Sequence, residues 1–226
     1  MKIDVITIFP EQIESFAKFG IFRIAKEKGV LDFNVHDLRK WTTDKHKSVD
    51  DKPYGGGAGM VLKVEPIYNA IEELKTDKSI VIAATPQGTP LSQKYLRELS
   101  DNNDAHYIFI CGHYEGFDQR ILDNYIDVEI SIGDYILSGG ELASLVIIDG
   151  ILRLLPNVLG NSQSPVSESF TENMLEYPQY TRPEDFKGLK VPEVLLRGNH
   201  SQIALWRDNK ARENTLKKRP DIVKKV

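Results

Sequence analysis

Apolar runs and helical periodicities alternate along the first 155 residues of the chain. Short apolar runs predict strands at residues 3–9, 31–38, 79–84, 106–111 and 128–132. Between these runs, apolar residues at helical spacing predict helices at residues 11–28, 64–74, 92–99, 118–125 and 140–155. This alternation predicts an α/β fold with a mostly parallel sheet and helices on both of its faces.

Two stretches interrupt the pattern. Residues 39–59 are polar and end in the glycine cluster Tyr54-Gly55-Gly56-Gly57-Ala58-Gly59. A loop of this length inside a compact domain is usually functional or disordered. Residues 157–169 are rich in Ser, Asn, Gln and Pro and are predicted to be a flexible interdomain linker. The linker divides the chain into a large domain, residues 1–156, and a small helical domain, residues 170–226.

Charge is distributed unevenly between the two parts. The whole chain has a formal net charge of −4, but residues 179–226 hold 12 Lys and Arg against 6 Asp and Glu, a balance of +6. A basic end on an acidic body suggests a surface for a polyanion such as nucleic acid, although a solvated helical tail is the simpler alternative.

Cysteine content and hydropathy restrict the class of protein. The single cysteine, Cys111, excludes an internal disulfide framework and a cysteine-based zinc site. No apolar run reaches the length needed to span a membrane, and the N-terminus lacks the pattern of a signal peptide. These features predict a cytoplasmic protein with no membrane contact.

Three glycine-containing loops follow predicted strands, at residues 85–88, 112–116 and 133–140. Ligands of open parallel sheets bind beyond the carboxyl ends of the strands, so we expect these loops to share one ligand site. Gly139 and Gly140 precede a helix, where they are expected to bring a ligand onto the backbone and to expose free N–H groups. The loops hold few charges and no dinucleotide or nucleoside-triphosphate motif, a composition that suits an adenosyl group.

Several long motifs resemble one family. They are IDVITIFPE, DDKPYGGGAGMVLK, TPQG, ICGHYEGFDQRI, EISIGDYILSGGE, EYPQYTRP and GNHSQIALWR, and they extend from one end of the chain to the other. The chain resembles the bacterial tRNA (guanine-N1)-methyltransferases of the SPOUT superfamily, whose α/β fold is knotted. The resemblance implies a deep trefoil knot, a homodimer with its active site at the subunit interface, and a C-terminal domain that binds tRNA.

The resemblance also implies a methyl-donor site for S-adenosyl-L-methionine built from the three loops. The residues expected to bind this cofactor are Thr85, Pro86, Gln87, Gly88, Gly112, Tyr114, Glu115, Gly116, Ile132, Gly133, Asp134, Tyr135, Ile136, Leu137, Ser138, Gly139 and Gly140. The methyl acceptor is expected to be N1 of the guanine immediately 3′ of the anticodon.

The target nitrogen sets the chemistry that this resemblance demands. N1 of guanine carries a proton at neutral pH, so its methylation needs a general base near N1 and a cation near O6. By resemblance, the cation is Arg153 and the base is Glu168. The family has Asp where this chain has Glu168, and the extra methylene moves the carboxylate by roughly 1 Å, which can cost about 10²-fold in rate.

Four further residues are singled out by the resemblance. Glu115 is a candidate partner for the amino group of the methionine part or for Mg²⁺, which the family is thought to use. Arg182, Arg197 and His200 are predicted to contact RNA, with helix capping as the alternative for Arg182 and His200.

Other positions differ from the family or look less reactive. Asn157 and Asn173 stand where the family usually has glycine, and asparagine tolerates left-handed backbone geometry, so both changes are expected to be mild. His113 stands where many relatives have Arg and is not expected to be an essential acid or base. Cys111 ends an apolar strand and is expected to be inert filling rather than a nucleophile.

Two alternatives to methylation of this guanine remain open. The change to Glu168 allows a noncatalytic or weakly active RNA-binding relative that keeps the cofactor pocket. A knotted methyltransferase for another RNA is disfavoured by the motif EYPQYTRP and by the basic C-terminal end.

Overall fold

Five parallel strands form the central sheet of the first part of the chain. The strands of this part are β1 (Lys2–Thr7), β2 (Asp32–Asp37), β3 (Asp50–Asp51), β4 (Val61–Leu62), β5 (Ser79–Pro90), β6 (His106–Cys111) and β7 (Val128–Ser131). The order in the sheet is β2-β1-β6-β5-β7, and every neighbouring pair is parallel. The predicted parallel α/β architecture is therefore confirmed.

The computed structural model describes residues 1–102, 104–159, 168–170 and 173–223. The chain divides into two compact units, residues 1–160 and 161–226. Most of the predicted linker, residues 160–167, lies outside the described residues. None of the helices in the described part of the chain is long and apolar enough to cross a lipid bilayer.

Helices cover both faces of the sheet, as the sequence predicts. They are α1 (Pro10–Phe16), α2 (Gly20–Glu27), α3 (Val64–Leu74), α4 (Gln93–Ser100), α5 (Gln119–Tyr125) and α6 (Gly140–Leu152). Buried residues of α1, α2, α4 and α6 pack in one apolar cluster, while those of α3, α5 and a 3₁₀ helix, Leu38–Trp41, pack in a second. Alternate residues of β1 enter the two clusters, because successive side chains of a strand point to opposite faces.

Three predicted elements differ in extent. The helix predicted at residues 11–28 is two helices, because Gly20 adopts a φ of 55° that breaks the helical path. The predicted last helix ends at Leu152 rather than at residue 155. The strand predicted at residues 79–84 continues to Pro90, so the first of the three predicted loops belongs to β5.

The polar stretch between β2 and α3 contains short elements that its sequence pattern did not predict. It begins with the 3₁₀ helix, and β3 and β4 then pair as a small antiparallel hairpin. The glycine cluster forms the exposed tip of this hairpin, with Gly55, Gly56, Gly57 and Gly59 at positive φ. Glycine is the residue that adopts such angles without steric cost, which accounts for the cluster.

The second unit contains one long helix and a small hairpin. Its elements are β8 (Asp185–Phe186), β9 (Leu189–Lys190), a 3₁₀ helix at Glu193–Leu195, α7 (His200–Lys218) and a second 3₁₀ helix at Pro220–Ile222. Asn199 caps α7 by accepting a hydrogen bond from the backbone of Gln202 over 3.2 Å. Thr215, buried on α7, accepts from the backbone N–H of Leu175 over 2.9 Å and so ties the segment before the hairpin to the helix.

The two asparagines at positions where the resemblance leads us to expect glycine adopt left-handed backbone geometry. Asn157 has a φ of 65° and Asn173 a φ of 59°. These angles confirm that asparagine accepts the conformation for which glycine is otherwise preferred.

A buried carboxylate lies on the sheet face that packs against α3 and α5. Asp4 of β1 is almost wholly buried and accepts hydrogen bonds from three cations or potential cations. Its Oδ1 is 2.7 Å from Nε2 of His36, and its Oδ2 is 2.6 Å from Nε2 of His106 and 3.0 Å from Nζ of Lys2. These bonds connect β1 to both of its neighbours, β2 and β6.

These contacts keep Asp4 ionised although it is buried. Burial raises the pKa of the carboxyl, but the hydrogen bonds from His36, His106 and Lys2 outweigh it and hold that pKa well below its usual range. Because the folded-state pKa is lowered, the group stabilises the fold above the pKa of an unfolded aspartate and loses that contribution as the pH falls below it.

We expect Asp4→Asn to lower the free energy of unfolding at neutral pH by about 3 kcal/mol, since it removes the negative charge that three buried or half-buried donors face and replaces one acceptor oxygen with an N–H donor. The difference from the wild-type protein should narrow as the pH falls below about 4, where unfolded aspartate takes up its proton. Urea unfolding followed by circular dichroism at several pH values measures both effects. The matched control is Asp32→Asn on the exposed edge of β2, which should change stability by less than about 0.5 kcal/mol; equal effects of the two substitutions would contradict the role assigned to Asp4.

Candidate active site

A cavity of about 500 Å³ lies at the carboxyl ends of β5, β6 and β7. Its walls come from β5 beyond Ala84, from the loop after β6 and from the loop between β7 and α6. All residues expected to bind the cofactor line this cavity except Gly88 and Asp134. The three stretches therefore meet in space, as the order of the strands requires.

Gly88 has a packing role instead. A Cβ built on it would lie 2.4 Å from the backbone nitrogen of Ile130 and 2.5 Å from the carbonyl carbon of Glu129, both in β7. The pairing of β5 with β7 shifts its register between Ala84 and Thr89, and Gly88 lies within that shift. Asp134 is exposed to solvent and does not reach the cavity wall.

Gly140 brings the start of α6 against the loop after β6. Its N–H donates to the carbonyl of Gly112 over 2.7 Å, so it is not the free donor that was expected at this helix start. A Cβ on Gly140 would lie 2.8 Å from the nitrogen of Gly112 and 3.0 Å from the Cα of Cys111. Only glycine allows this approach of two backbones.

A buried carboxylate and a histidine lie beside the adjacent glycine. Glu141 is almost wholly buried, and its Oε1 accepts a hydrogen bond from Oγ1 of Thr7 over 2.7 Å. The ring of His113 lies edge-on to Phe9, and its buried Nδ1 has no hydrogen-bond partner among the described residues. A Cβ on Gly139 would lie 2.3 Å from Oε2 of Glu141 and 2.6 Å from Cδ2 of His113.

Neither Glu141 nor His113 is among the site residues predicted from the sequence. Glu141 directly follows the two glycines, a position at which an acidic residue in the first turn of a helix is ordinary. The signal that distinguishes it is burial, which requires the tertiary structure. His113 lines the cavity, and its unpaired Nδ1 is a polar atom that a ligand can satisfy.

The hairpin of residues 50–62 is attached to the same cavity wall. The backbone of Glu115 donates to the carbonyl of Met60 over 3.0 Å, and Leu62 donates to the carbonyl of Gly116 over 3.0 Å. A Cβ on Gly59 would lie 2.4 Å from Oε1 of Glu115, so the carboxylate packs directly over that glycine. The last glycine of the cluster thereby leaves room for a charged side chain of the cavity.

The described residues contain no group of three or more His, Cys, Asp or Glu side chains that could hold a metal ion. Glu115 contributes one carboxylate, whereas Mg²⁺ bound by protein alone needs several oxygen ligands. The prediction of a metal ligand at Glu115 rests on the resemblance and not on this geometry.

Cys111 is buried at the end of β6, behind the cavity. Burial raises the pKa of its thiol far above the usual range, and the nearby carboxylate of Glu141 raises it further. The thiol is 3.4 Å from Oγ of Ser144. A protonated, enclosed thiol does not act as a nucleophile, which agrees with the packing role predicted for Cys111.

The two predicted catalytic residues lie outside this cavity wall. Arg153 is half-buried at the C-terminal end of α6, where the helix dipole favours a cation. Burial raises the pKa of Asp149, one turn earlier, and the charge of Arg153 opposes that shift. Glu168 is half-buried and belongs to the second unit.

The predicted RNA contacts all lie in the second unit and are exposed. Arg197 forms an ion pair with Glu193 across one helical turn. His200 is the first residue of α7, but the capping side chain is that of Asn199. Arg182 lines a separate cavity of this unit.

The main cavity suits an adenosyl group. Its volume falls within the range of about 300–1,000 Å³ that is typical of small-molecule sites. Apolar side chains such as Leu122, Ile132 and Ala143 form part of the wall, next to glycine-rich backbone that can pair with the edge of a heterocycle. The unpaired Nδ1 of His113 and the exposed carboxylate of Glu115 are available to a polar tail.

Comparison with known proteins identifies relatives along the whole chain. The family model described as tRNA (Guanine-1)-methyltransferase TrmD matches residues 1–225. The chain is 53% identical over 224 residues to the tRNA (guanine-N(1)-)-methyltransferase of Carboxydothermus hydrogenoformans, covering 99% of this chain and 88% of the relative. It is 49% identical over 225 residues to that of Geobacillus kaustophilus, covering 99% and 91%, and 48% identical over 226 residues to that of Bacillus pumilus, covering 99% and 92%.

If this cavity binds the expected methyl donor, S-adenosyl-L-methionine, Gly139→Ala should weaken that binding by about tenfold or more. The added methyl group forces the side chains of Glu141 and His113 to move, and overpacking of this kind costs about 1–3 kcal/mol. Isothermal titration calorimetry measures the affinity, and thermal unfolding shows whether the variant is folded.

Asp134→Ala is the matched control, because it changes the same loop without touching the cavity wall. It should leave the affinity unchanged. A folded Gly139→Ala protein with wild-type affinity would show that the methyl donor does not lie against this wall.

Proposed function

The chain belongs to the tRNA (guanine-1)-methyltransferase family, and we propose that it transfers a methyl group from S-adenosyl-L-methionine to N1 of the guanine immediately 3′ of the anticodon in tRNA. The observation that carries this proposal is the cavity at the carboxyl ends of β5, β6 and β7, which unites three stretches of the matching sequence. We place the reaction in the cytoplasm, where tRNA is available.

In this proposal, both main-chain groups and side chains of the cavity bind the methyl donor. Gly112, Gly133 and Gly139 offer wall surface without side chains, where the adenine edge can meet main-chain groups. Glu115 is placed to hold the ammonium of the methionine part, and the rings of Tyr114 and Tyr135 line the opening. When bound, S-adenosyl-L-methionine supplies an electrophilic methyl group on sulfur.

The charged residues act on the guanine. The Glu168 carboxylate removes the proton from N1, and the negative charge that remains spreads to O6. The Arg153 guanidinium stabilises that charge, as a preorganised cation does in a water-poor site. N1 then carries the electron pair that forms the new bond to the methyl carbon, while the bond from that carbon to sulfur breaks and its electron pair stays on sulfur, which leaves as a neutral thioether. No covalent bond to the protein is needed, so positioning supplies much of the rate.

Glu115 remains the candidate Mg²⁺ ligand by resemblance, but among the described residues it belongs to no group of three or more His, Cys, Asp or Glu side chains that could hold a metal ion. The chemistry of proton removal and charge stabilisation is complete with Glu168 and Arg153.

We propose that two chains form a homodimer and complete the active site across their interface. Helix α6 is buried along most of its length, yet Leu142 is 59% exposed and Val146 is 50% exposed, one turn apart on the same side. Ile136, in the loop before the helix, is also exposed. An apolar stripe of this kind beside a ligand cavity is typical of a contact surface between proteins.

We also propose that the chain forms the trefoil knot that the resemblance implies, and that its two domains bind different substrates. Close packing of Gly88 on β7 and of Gly140 on the loop after β6 supports a chain path in which these segments pass one another tightly. Residues 1–156 would hold the methyl donor, and the small basic domain of residues 170–226 would hold tRNA through residues such as Arg182, Arg197 and His200.

Single-turnover transfer of a labelled methyl group tests the reaction. The wild-type protein should label tRNA with guanine after the anticodon and should not label the same tRNA with adenine there. Glu168→Gln should lower the rate by about 10²-fold or more, because the general base is lost. Glu168→Asp, which restores the usual family residue, should keep or raise the wild-type rate.

The results of these assays distinguish an active methyltransferase from a protein that only binds RNA and the methyl donor. Tight binding of tRNA and of the methyl donor without transfer would favour a noncatalytic relative. Equal rates for the wild-type protein and for Glu168→Gln would remove Glu168 from the mechanism while leaving the activity itself intact.

Leu142→Glu combined with Val146→Glu should convert the dimer to a monomer, because two carboxylates would have to be buried in the proposed interface. Analytical ultracentrifugation measures the change. The control is Leu189→Glu, which places the same charge on the exposed hairpin of the second unit, where Leu189 is 74% exposed. A monomeric wild-type protein that methylates tRNA would contradict the proposed interface.

A further inference from the structure

The second unit contains a cavity of about 520 Å³ that has no part in the chemistry described above. It lies between the segment of residues 177–184, the 3₁₀ helix Glu193–Leu195 and one side of α7. Its wall contains three aromatic rings, two arginines and a glutamate: Tyr177, Tyr180, Trp206, Arg182, Arg207 and Glu184.

The aromatic rings of this cavity contact neighbouring side chains but remain partly exposed to solvent. Tyr180 and Trp206 lie with their ring centroids 6.3 Å apart and their planes tilted by 55°, and Tyr180 is 49% exposed. The guanidinium of Arg207 lies 4.6 Å from the centre of the Tyr177 ring. This cation–π contact fixes both side chains at the cavity wall, while the tilt of the other pair leaves ring surface open.

Two of the arginines in this unit differ from the others. Arg197, Arg212 and Arg219 form ion pairs with Glu193, Asp208 and Asp221, respectively. In the described part of the chain, Arg182 and Arg207 have no carboxylate partner within ion-pair distance, and both line the cavity. The two arginines of the unit that form no ion pair within the described residues thus lie beside the aromatic rings.

We infer that this cavity binds one unstacked nucleotide of the RNA substrate, with its base on Trp206 and Tyr180 and its phosphate between Arg182 and Arg207. Single-stranded nucleic acid is recognised by this combination of stacking surface and cations. The inference rests on the proposed function, which supplies the RNA. It adds a subsite distinct from the one that receives the target guanine.

The carboxylate of Glu184 fits a base better than a second phosphate. It lines the same cavity and repels anions, but it can accept hydrogen bonds from the N–H groups of a base edge. We therefore expect the amino or imino donors of the base to face Glu184 and the phosphate of the same nucleotide to face Arg182 and Arg207.

The chain offers a direct probe, since it has two tryptophans, Trp41 and Trp206. Trp41 belongs to the first unit, where its Nε1 donates to Glu73, and it lies outside both cavities. In a Trp41→Phe protein, the fluorescence reports on Trp206 alone. Titration with an anticodon stem–loop RNA should quench this fluorescence, because a base stacks on the indole.

Substitutions should separate stacking from charge. Trp206→Leu should weaken the affinity for the stem–loop by about tenfold or more, whereas Trp206→Phe, which keeps an aromatic face, should lose much less. Arg182→Gln and Arg207→Gln should each weaken binding and reduce the slope of log K against log salt by about one. Leu216→Ala, an exposed position of α7 away from the cavity, is the control for a general effect on the helix.

Methyl transfer distinguishes failure of this subsite from failure of the proposed function. Trp206→Leu should raise the KM for tRNA in methyl transfer by about tenfold or more, whereas the control Leu216→Ala should transfer the methyl group like the wild-type protein. If the wild-type protein transfers no methyl group, the proposed function fails. If it does and Trp206→Leu binds RNA like the wild-type protein, the subsite alone is refuted.

The same fluorescence tests another occupant, a second copy of this chain. Quenching by acrylamide should reach Trp206 in the RNA-free dimer and should be blocked when RNA binds. Protection of Trp206 without RNA that disappears on dilution to monomer would show that the partner subunit covers the cavity, and it would overturn the inference.

Discussion

The close approach of two backbones at Gly140 and Gly112 is the constraint on which the site depends. The N–H of Gly140 donates a hydrogen bond to the carbonyl of Gly112 over 2.7 Å, and the neighbouring backbone leaves no space for a Cβ on Gly140. This contact fixes the start of α6 against the end of β6, so that the loop before the helix and the loop after the strand line one cavity side by side. The glycine pair therefore serves the protein's own packing first, and the ligand surface follows from it.

Two buried carboxylates, Asp4 in β1 and Glu141 in the first turn of α6, differ in their hydrogen-bond partners. Asp4 accepts from three donors, and its depressed pKa means that the ionised form is stabilised by its partners. Glu141, beside the ligand cavity, is hydrogen-bonded by the hydroxyl of Thr7, a weaker donor than a cation. The hydrogen bonds of Asp4 connect three strands, whereas Nδ1 of His113, which has no hydrogen-bond partner among the described residues, is a polar atom of a cavity-lining residue that a ligand can satisfy.

The sequence pattern predicts the parallel sheet because buried strands and amphipathic helices have distinct periods. It misses the continuation of β5 to Pro90, since residues 85–90 are mostly exposed and their strand geometry depends on pairing with β7. It also misses the break at Gly20, where one positive φ angle divides a continuous apolar pattern. That the three stretches line one cavity was predictable, because ligands of parallel sheets bind beyond the carboxyl ends of the strands, but the packing of Gly88 against Ile130 required the structure.

Under the proposed function, binding the methyl donor and activating the guanine need different kinds of side chain. The walls of the main cavity are mostly neutral, which suits a methyl donor, but deprotonation of guanine needs a base and a cation in one place. The two residues proposed for those roles, Arg153 and Glu168, are not among the residues that line this cavity. Under the proposed function, binding of the methyl donor and activation of the guanine therefore depend on different residues of the chain, so a substitution can impair one of these steps and leave the other intact.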